Sequence, residues 1–391
     1  MTAIGKYTLS GDWEISNVGH TALAVCGGKK YFMKRYNSYR LPKNDPKNIS
    51  RKLYERQKAA FEEFVAYRKE INEKLSEVAK SGGNIILPCE WFIGDNAFVE
   101  ATDYIEDIVD DGTLFGLSVE DVRFLLLTAA GALKGVHGAG IVHSDLKRSN
   151  ILVKKNAYGK YLAKIIDFDK SYFVNRIRVN DLGGDQCYMS PELAYCLISD
   201  LSENAVQQLS PKSDIFSLGI VFYNYLCGGR FPGIRTPSDD GTVNPQYCGE
   251  ALLCGNILTI GREIEDDCLR ALIANMLYKD PAMRPDAQTV INVIKEKRVL
   301  SVRPDQGVAV IAARVETPRV EPARAAASAR TDAPSDGELE IDYESLRRAG
   351  FVKVESDRNG TSVRYKLFKR DGSFTYMSAQ VLILTGYARR R

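Results

Sequence analysis

The sequence predicts an α+β architecture. A small strand-rich lobe packs on a larger helical lobe, and a small basic domain of βββα type follows. Three observations carry this. Strand-like stretches dominate up to about residue 102, and helical spacing dominates from about 119 to 297. Residues 300–336 are rich in Ala, Pro, Arg and Ser, and order signals return near residue 340. The expected boundaries are a domain over 10–297, a flexible linker over 298–338 and a C-terminal domain over 339–391.

The elements follow in order. Residues 6–36 alternate in strand fashion through Trp13-Glu14-Ile15, Ala22 to Cys26 and Tyr31-Phe32-Met33, with Gly27-Gly28 as a turn. Phe61, Phe64, Ile71, Leu75 and Val78 share one face of a helix within 50–80. Two strands are expected within 85–102. A long helix is read from 119 onward on Val122, Leu125, Leu126, Ala129, Leu133 and Val136. Ala163 to Ile166 reads as a buried strand. In the C-terminal domain, 342–349 reads as a short helix. Three strands are then joined by Asn359-Gly360 and Asp371-Gly372 turns, and 378–387 reads as a closing helix.

Composition excludes several classes. The 391 residues, 45% hydrophobic with a net charge of +3, suit a globular protein of two or three domains and imply no partner by charge alone. No run of 18 apolar residues occurs, so no membrane span is expected, and Met1 to Asp12 lacks a signal pattern. The eight cysteines form no CxxC pair, which favours reduced thiols in a cytoplasmic protein over disulfides or zinc.

The chemistry concentrates at 143–169. His143-Ser144-Asp145-Leu146-Lys147-Arg148-Ser149-Asn150 is followed by Asp167-Phe168-Asp169 after the buried strand. Asp145 and Asn150 are five apart, which lets them stand at two ends of one tight loop. A carboxylate that orients a hydroxyl, with oxygen ligands that hold Mg²⁺ on phosphates, is what phosphoryl transfer needs. A cleft between two lobes would receive the nucleotide.

This spacing resembles the catalytic loop and the metal-binding Asp-Phe-Gly triplet of the protein kinase family, which implies a bilobal kinase-like fold, ATP and Mg²⁺. The resemblance extends over about 10–297. It implies that Asp145 handles the substrate hydroxyl proton, and that Lys147, typical of Ser/Thr kinases, neutralises the transferred phosphoryl. Asn150 and Asp167 would hold Mg²⁺, and Lys34 would grip the nucleotide phosphates. Lys34 needs a glutamate on the next helix. Glu63 and Glu70 share a face, and Glu70, nearer the following strand, is preferred. His143 resembles a packing post. Three further matches imply structural roles: Ser190-Pro191-Glu192 closes the activation segment, Asp214 anchors the catalytic loop, and Arg284 pairs with Glu192.

The sequence also departs from the family. Of the glycine-rich loop only Gly19 remains to approach the nucleotide, within Ile15-Ser16-Asn17-Val18-Gly19-His20-Thr21. Phe32 stands where the family has a small alanine against adenine. Asp169 replaces the triplet's glycine. Asp185 replaces a threonine, and its carboxylate is placed to repel phosphates or capture Lys147. Ser144 replaces an arginine that normally meets an activation-segment phosphate.

From Leu346 to Arg391 there are eleven Lys/Arg against three Asp/Glu. A module so charged suits nucleic acid or an acidic protein surface. Gly350-Phe351-Val352-Lys353 and Val363 to Phe374 resemble methyl-CpG-binding-type DNA domains. The terminal Arg389-Arg390-Arg391 reads as a solvated tail. The resulting expectation is a Ser/Thr protein kinase. The alternatives are a pseudokinase scaffold that recruits partners through the basic module, and a kinase-like enzyme acting on small molecules. Because Ser144 stands in place of the arginine, phosphatase treatment is expected to leave activity largely unchanged. A large loss of label transfer after phosphatase treatment would overturn that reading.

Overall fold

The computed structural model describes residues 2–16, 19–43, 50–199, 203–235, 247–261 and 263–310. Further on it describes 339–341, 343, 347, 351–359, 362–369, 374–378 and 388–390. The N-terminal lobe is built on one sheet. Its strands are β1 (Ala3–Ile4), β2 (Tyr7–Leu9), β3 (Glu14–Ser16), β4 (Gly19–Cys26), β5 (Lys29–Arg40), β6 (Glu90–Gly94) and β7 (Ala97–Asp103). The order is β1-β2-β4-β5-β7-β6, with β3 paired to β4. Gly27 and Gly28 both take positive φ between paired Cys26 and Lys29, the geometry a two-residue hairpin demands. Period-two alternation sends Met33, Val99 and Ala101 into one apolar face with Tyr7 and Leu9. Lys34, Tyr36, Phe98 and Glu100 occupy the alternate positions, so these side chains share the other face.

Helix α1 (Arg51–Lys80) is capped by Ser50, whose hydroxyl accepts from the Leu53 amide. Its buried stripe runs Phe61, Phe64, Arg68, Ile71 and Leu75, with spacings of three and four. Phe61 and Phe64 pack on Tyr36 and Phe98 of the sheet, whereas Ile71 and Leu75 enter the main core. The helix thereby joins the two lobes.

The second lobe contains α2 (Asp111–Phe115), α3 (Val119–Gly138), β8 (Ile141–Val142), β9 (Ile151–Lys155), β10 (Tyr161–Ile165), β11 (Tyr172–Phe173), α4 (Pro191–Ile198), α5 (Glu203–Val206), α6 (Pro211–Leu226), β12 (Gly233–Arg235), α7 (Cys248–Leu253), β13 (Ile257–Ile260), α8 (Asp267–Met276), α9 (Ala287–Glu296) and β14 (Val308–Val310). Helix α6 is buried almost end to end, from Ser213 to Tyr225, and forms the post around which the lobe packs. Short antiparallel pairs, β9 with β10 and β8 with β11, carry the loops of the site.

The expected linker start at 298 falls too early. Strand β14 pairs in parallel with β13, and Val308 is fully buried, so this lobe continues to Val310. No apolar periodicity announces so short an edge strand. In the C-terminal part, β15 (Leu339–Ile341) pairs with β19 (Ala388–Arg390). Strands β16 (Phe351–Asn359), β17 (Ser362–Lys369) and β18 (Phe374–Ser378) form an antiparallel sheet. The three expected strands are present. Arg389 and Arg390 lie in a strand rather than in a tail. Most of the expected helices over 342–349 and 378–387, and residues of both turn pairs, lie outside the described residues.

One buried ion pair fixes the lower lobe. Arg284 forms two parallel bonds to Glu192, of 2.7 and 2.8 Å. Its remaining donors reach the carbonyls of Tyr278, Lys212 and Lys279 at 2.7–3.0 Å. Ser213 donates to the same carboxylate at 2.7 Å. Burial alone would raise the Glu192 carboxyl, but Arg284 outweighs it and holds the group below its ordinary value. Arg284→Ala strands a buried carboxylate and is expected to lower unfolding free energy by about 3–5 kcal/mol. A urea titration reads this directly, and a shift under about 1 kcal/mol would contradict the account.

Candidate active site

The loop between β8 and β9 carries the polar residues picked out by sequence. Asp214, on the first turn of α6, is almost fully buried. It accepts from the amides of His143 at 2.7 Å and Ser144 at 2.9 Å, and from His137 Nε2 at 2.9 Å. Ser144 takes φ of +68°, a left-handed conformation costly for a non-glycine residue. The two amide bonds to Asp214 offset that cost. His143 contacts the Ile166 carbonyl at 2.9 Å, and its ring lies 4.8 Å from the Phe168 ring. It is fully buried and packs between loop and core, as the sequence suggested.

Asp145 is the hub of the loop. Its Oδ1 accepts from the Asp185 amide at 2.9 Å, and its Oδ2 lies 3.1 Å from Lys147 Nζ. Asn150 donates its amide to the Asp145 carbonyl at 2.8 Å and to Oδ2 at 3.2 Å. The Asn150 side-chain carbonyl oxygen is thereby left available. Lys147 stands 3.8 Å from Asp185, farther than from Asp145. Asp185 instead accepts from the Cys187 amide at 3.0 Å. The extra carboxylate thus braces its own turn through Oδ1 and shares the lysine through Oδ2, at longer range than Asp145.

Beside this loop lies a cluster of buried charge. Lys34 Nζ is 2.8 Å from Asp167 and 2.5 Å from Asp169. Asp167 has φ of +62° and a side chain about one third exposed, whereas that of Asp169 is 7% exposed. The Tyr36 hydroxyl contacts Asp169 and donates to Glu100 at 2.8 Å. Arg68 donates to the Phe168 carbonyl at 2.7 Å and stands 3.8 Å from Asp169 and 3.9 Å from Glu100. Burial opposes the charge on Lys34, but Asp169 and then Asp167 outweigh it and hold the ammonium above its ordinary value. Burial raises Asp167, with Asp169 adding to it. Burial also pushes Asp169 up, yet Lys34 and Arg68 reverse this and keep it below the usual range. Glu100 is raised by burial against the pull of Arg68.

The expected partner of Lys34, Glu70, is not there. Its carboxylate pairs with Arg176, and Glu63 pairs with Arg178 at 2.6 Å. Both glutamates lie on the flank of α1 that meets the segment after Asp169. The position that faces the sheet is Arg68. The signal was available: a charge interrupting the apolar series Phe61, Phe64, Ile71, Leu75. Glu100, Tyr36 and Asp169's pairing role were also missed.

Gly19 has a packing reason to be glycine. A Cβ there would stand 2.0 Å from the Arg35 carbonyl on β5. It pairs with Ser16 and Tyr36 inside a hairpin of β3 and β4. Phe32 is 40% exposed on the sheet opposite Leu23, which is also exposed. Two cavities, of about 670 and 600 Å³, open elsewhere and include none of Lys34, Asp145 or Asp167. Among the described residues no helix is long and apolar enough to cross a membrane, and no disulfide is present.

The family model for the protein kinase domain matches residues 28–293. Protein kinase kin1 of Schizosaccharomyces pombe is 28% identical over 196 residues, covering 50% of this chain and 19% of that protein. Serine/threonine-protein kinase DCLK3 of Mus musculus is 28% identical over 202 residues, covering 48% and 23%. Probable serine/threonine-protein kinase 2 of Plasmodium falciparum is 36% identical over 104 residues, covering 27% and 18%. The chain thus spans about a fifth of the length of these curated relatives.

If Gly19 serves packing, Gly19→Ala is expected to destabilise the protein by about 1–3 kcal/mol through overpacking against β5. Thermal melting without nucleotide checks it. An unchanged midpoint would return Gly19 to a purely nucleotide-facing role.

Proposed function

Because the chain belongs to the protein kinase domain family, we propose that it transfers the γ-phosphoryl group of ATP to Ser/Thr hydroxyls of protein substrates. The observation that carries this is the Asp145 carboxylate, held by the Asp185 amide, Lys147 and Asn150 on a loop anchored to Asp214. A carboxylate so fixed is suited to orient a hydroxyl and accept its proton. Lys147 lies beside it to neutralise charge on the moving phosphoryl. Lys34 is the cation for the nucleotide phosphates. Catalysis then rests on positioning and charge stabilisation, with no covalent intermediate on the protein.

The residues fit Mg²⁺. Among the described residues no three His, Cys, Asp or Glu side chains form a metal-binding group. Mg²⁺ asks for less, since one or two carboxylates plus phosphates and water suffice. Asp167, one third exposed, and the available carbonyl oxygen of Asn150 are the ligands we assign to it. Bound there, Mg²⁺ would neutralise phosphate charge.

A protein substrate is favoured over a small alcohol by the Glu192–Arg284 pair, which fixes the end of a segment resembling that of protein-directed kinases. In this reading the catalytic unit runs from the first strands to Val310 and is linked through an Ala/Pro/Arg-rich stretch to a small C-terminal domain. That domain, with its basic excess over 346–391 and its antiparallel sheet, is a surface for nucleic acid or an acidic protein. A cytoplasmic location accords with the thiol pattern.

The test is transfer from γ-labelled ATP with Mg²⁺ to the protein itself and to a basic protein substrate. Asp145→Ala is expected to reduce label on Ser/Thr by roughly 10²–10⁴-fold while leaving the fold intact. Equal labelling in both would remove Asp145 from catalysis. Absence of label in both, with ATP still raising the melting temperature, would make the chain a pseudokinase scaffold.

A further inference from the structure

Phosphate-gripping lysines in protein kinases are oriented by a helix glutamate. In this chain both candidate glutamates are engaged elsewhere, Glu70 with Arg176 and Glu63 with Arg178. We infer that Asp169 is the positioning residue for Lys34, and that Arg68 of α1 supplies the counter-charge that keeps Asp169 in place. This inference rests on the kinase reading above and names a further residue of that site.

The geometry is closed on every side. Asp169 Oδ2 lies 2.5 Å from Lys34 Nζ. Its Oδ1 meets the Tyr36 hydroxyl and stands 3.8 Å from the Arg68 guanidinium. Arg68 also donates to the Phe168 carbonyl at 2.7 Å and to the Asp169 carbonyl at 3.4 Å. Asp167 contacts Lys34 too, but it is the group assigned to Mg²⁺ and is more exposed. A carboxylate that must bind metal cannot also serve full time as the partner of Lys34. Asp169 has no such second duty.

Charge supports the exchange. A glutamate at position 68 would sit beside Asp169 and Glu100 with no added cation, which is costly in a buried site. An arginine there balances them. The substitution in the triplet and the one on the helix are therefore complementary. Together they move the negative partner of Lys34 from the helix to the segment that carries Asp167.

The experiment compares wild type, Asp169→Asn, Glu70→Gln, Asp169→Gly and the double variant Arg68→Glu/Asp169→Gly. Steady-state transfer gives kcat and KM for ATP. A fluorescent ATP analogue with Mg²⁺ gives affinity independently of transfer. Asp169→Asn is expected to lower kcat at least about tenfold and weaken analogue binding roughly three- to tenfold. A merely structural loss would reduce the folded fraction and leave KM unchanged. The double variant, which returns a carboxylate to the helix, is expected to recover at least about a third of the kcat/KM lost by Asp169→Gly. Losses from Glu70→Gln that match or exceed those from Asp169→Asn would overturn the inference, as would a double variant no better than Asp169→Gly. If Asp169→Asn does not fold, the single and double glycine variants still decide. Should wild type bind the analogue but transfer nothing, the kinase reading fails. The affinities of the same variants would then judge Asp169 alone.

Discussion

The loop that carries Asp145 hangs from one buried carboxylate. Asp214 sits on the most enclosed helix of the fold and accepts from two consecutive amides of the loop that carries Asp145. Those bonds hold Ser144 in a left-handed conformation that no local preference would select. The turn then delivers Asp145, Lys147 and Asn150 to one point. Helix α6 is itself fixed at the same end, where Ser213 and the Lys212 carbonyl join the Glu192–Arg284 pair. Loop geometry and lobe stability are thus one network, built on three consecutive residues of α6, Lys212, Ser213 and Asp214.

The second organising constraint is the cluster at Lys34. Three carboxylates (Asp167, Asp169 and Glu100) face two cations, Lys34 and Arg68, in a site largely closed to water. Burial disfavours every one of these charges, and their mutual attraction must offset it. The imbalance shows in the acids: Asp169, touched by both cations, stays ionised most readily, while Glu100 and Asp167 are pushed upward. The cluster also spans sheet, helix and the segment after Asp167. Its members come from positions 34 to 169, so it acts as a clasp between lobes.

Much of this was legible in the sequence. The two-residue Gly27-Gly28 hairpin, α1, α3 and the strand before Asp167 follow from turn chemistry and periodicity. The loop motif placed Asp145, Lys147 and Asn150 together because spacing along a tight turn is local information. The partner of Lys34 was not legible in the same way. Glu63 and Glu70 obey the helical period as well as Arg68 does, and only packing decides which face meets the sheet. Reading the apolar stripe first would have shown position 68 on its axis and both glutamates off it. Strand β14 escaped for a different reason: three residues at a sheet edge carry no period, and their pairing with β13 is a long-range event.

The flank of α1 is tied to the segment after Asp169 by groups of the chain itself. Tyr67 accepts from the Phe173 amide and donates to the Arg176 carbonyl, at 3.0 and 2.9 Å. Arg176 pairs with Glu70, Arg178 with Glu63, and Asp181 accepts from Tyr39 on β5 at 2.9 Å. The exposed ion pairs are individually weak. They nonetheless flank a buried tyrosine bonded to the backbone on both sides, and Arg68 adds a buried bond to the Phe168 carbonyl. The segment after Asp169 is therefore secured by groups already in the chain. Ser144 donates its hydroxyl to the Gly183 carbonyl at 3.2 Å, joining the Asp145 loop to the far end of the same segment.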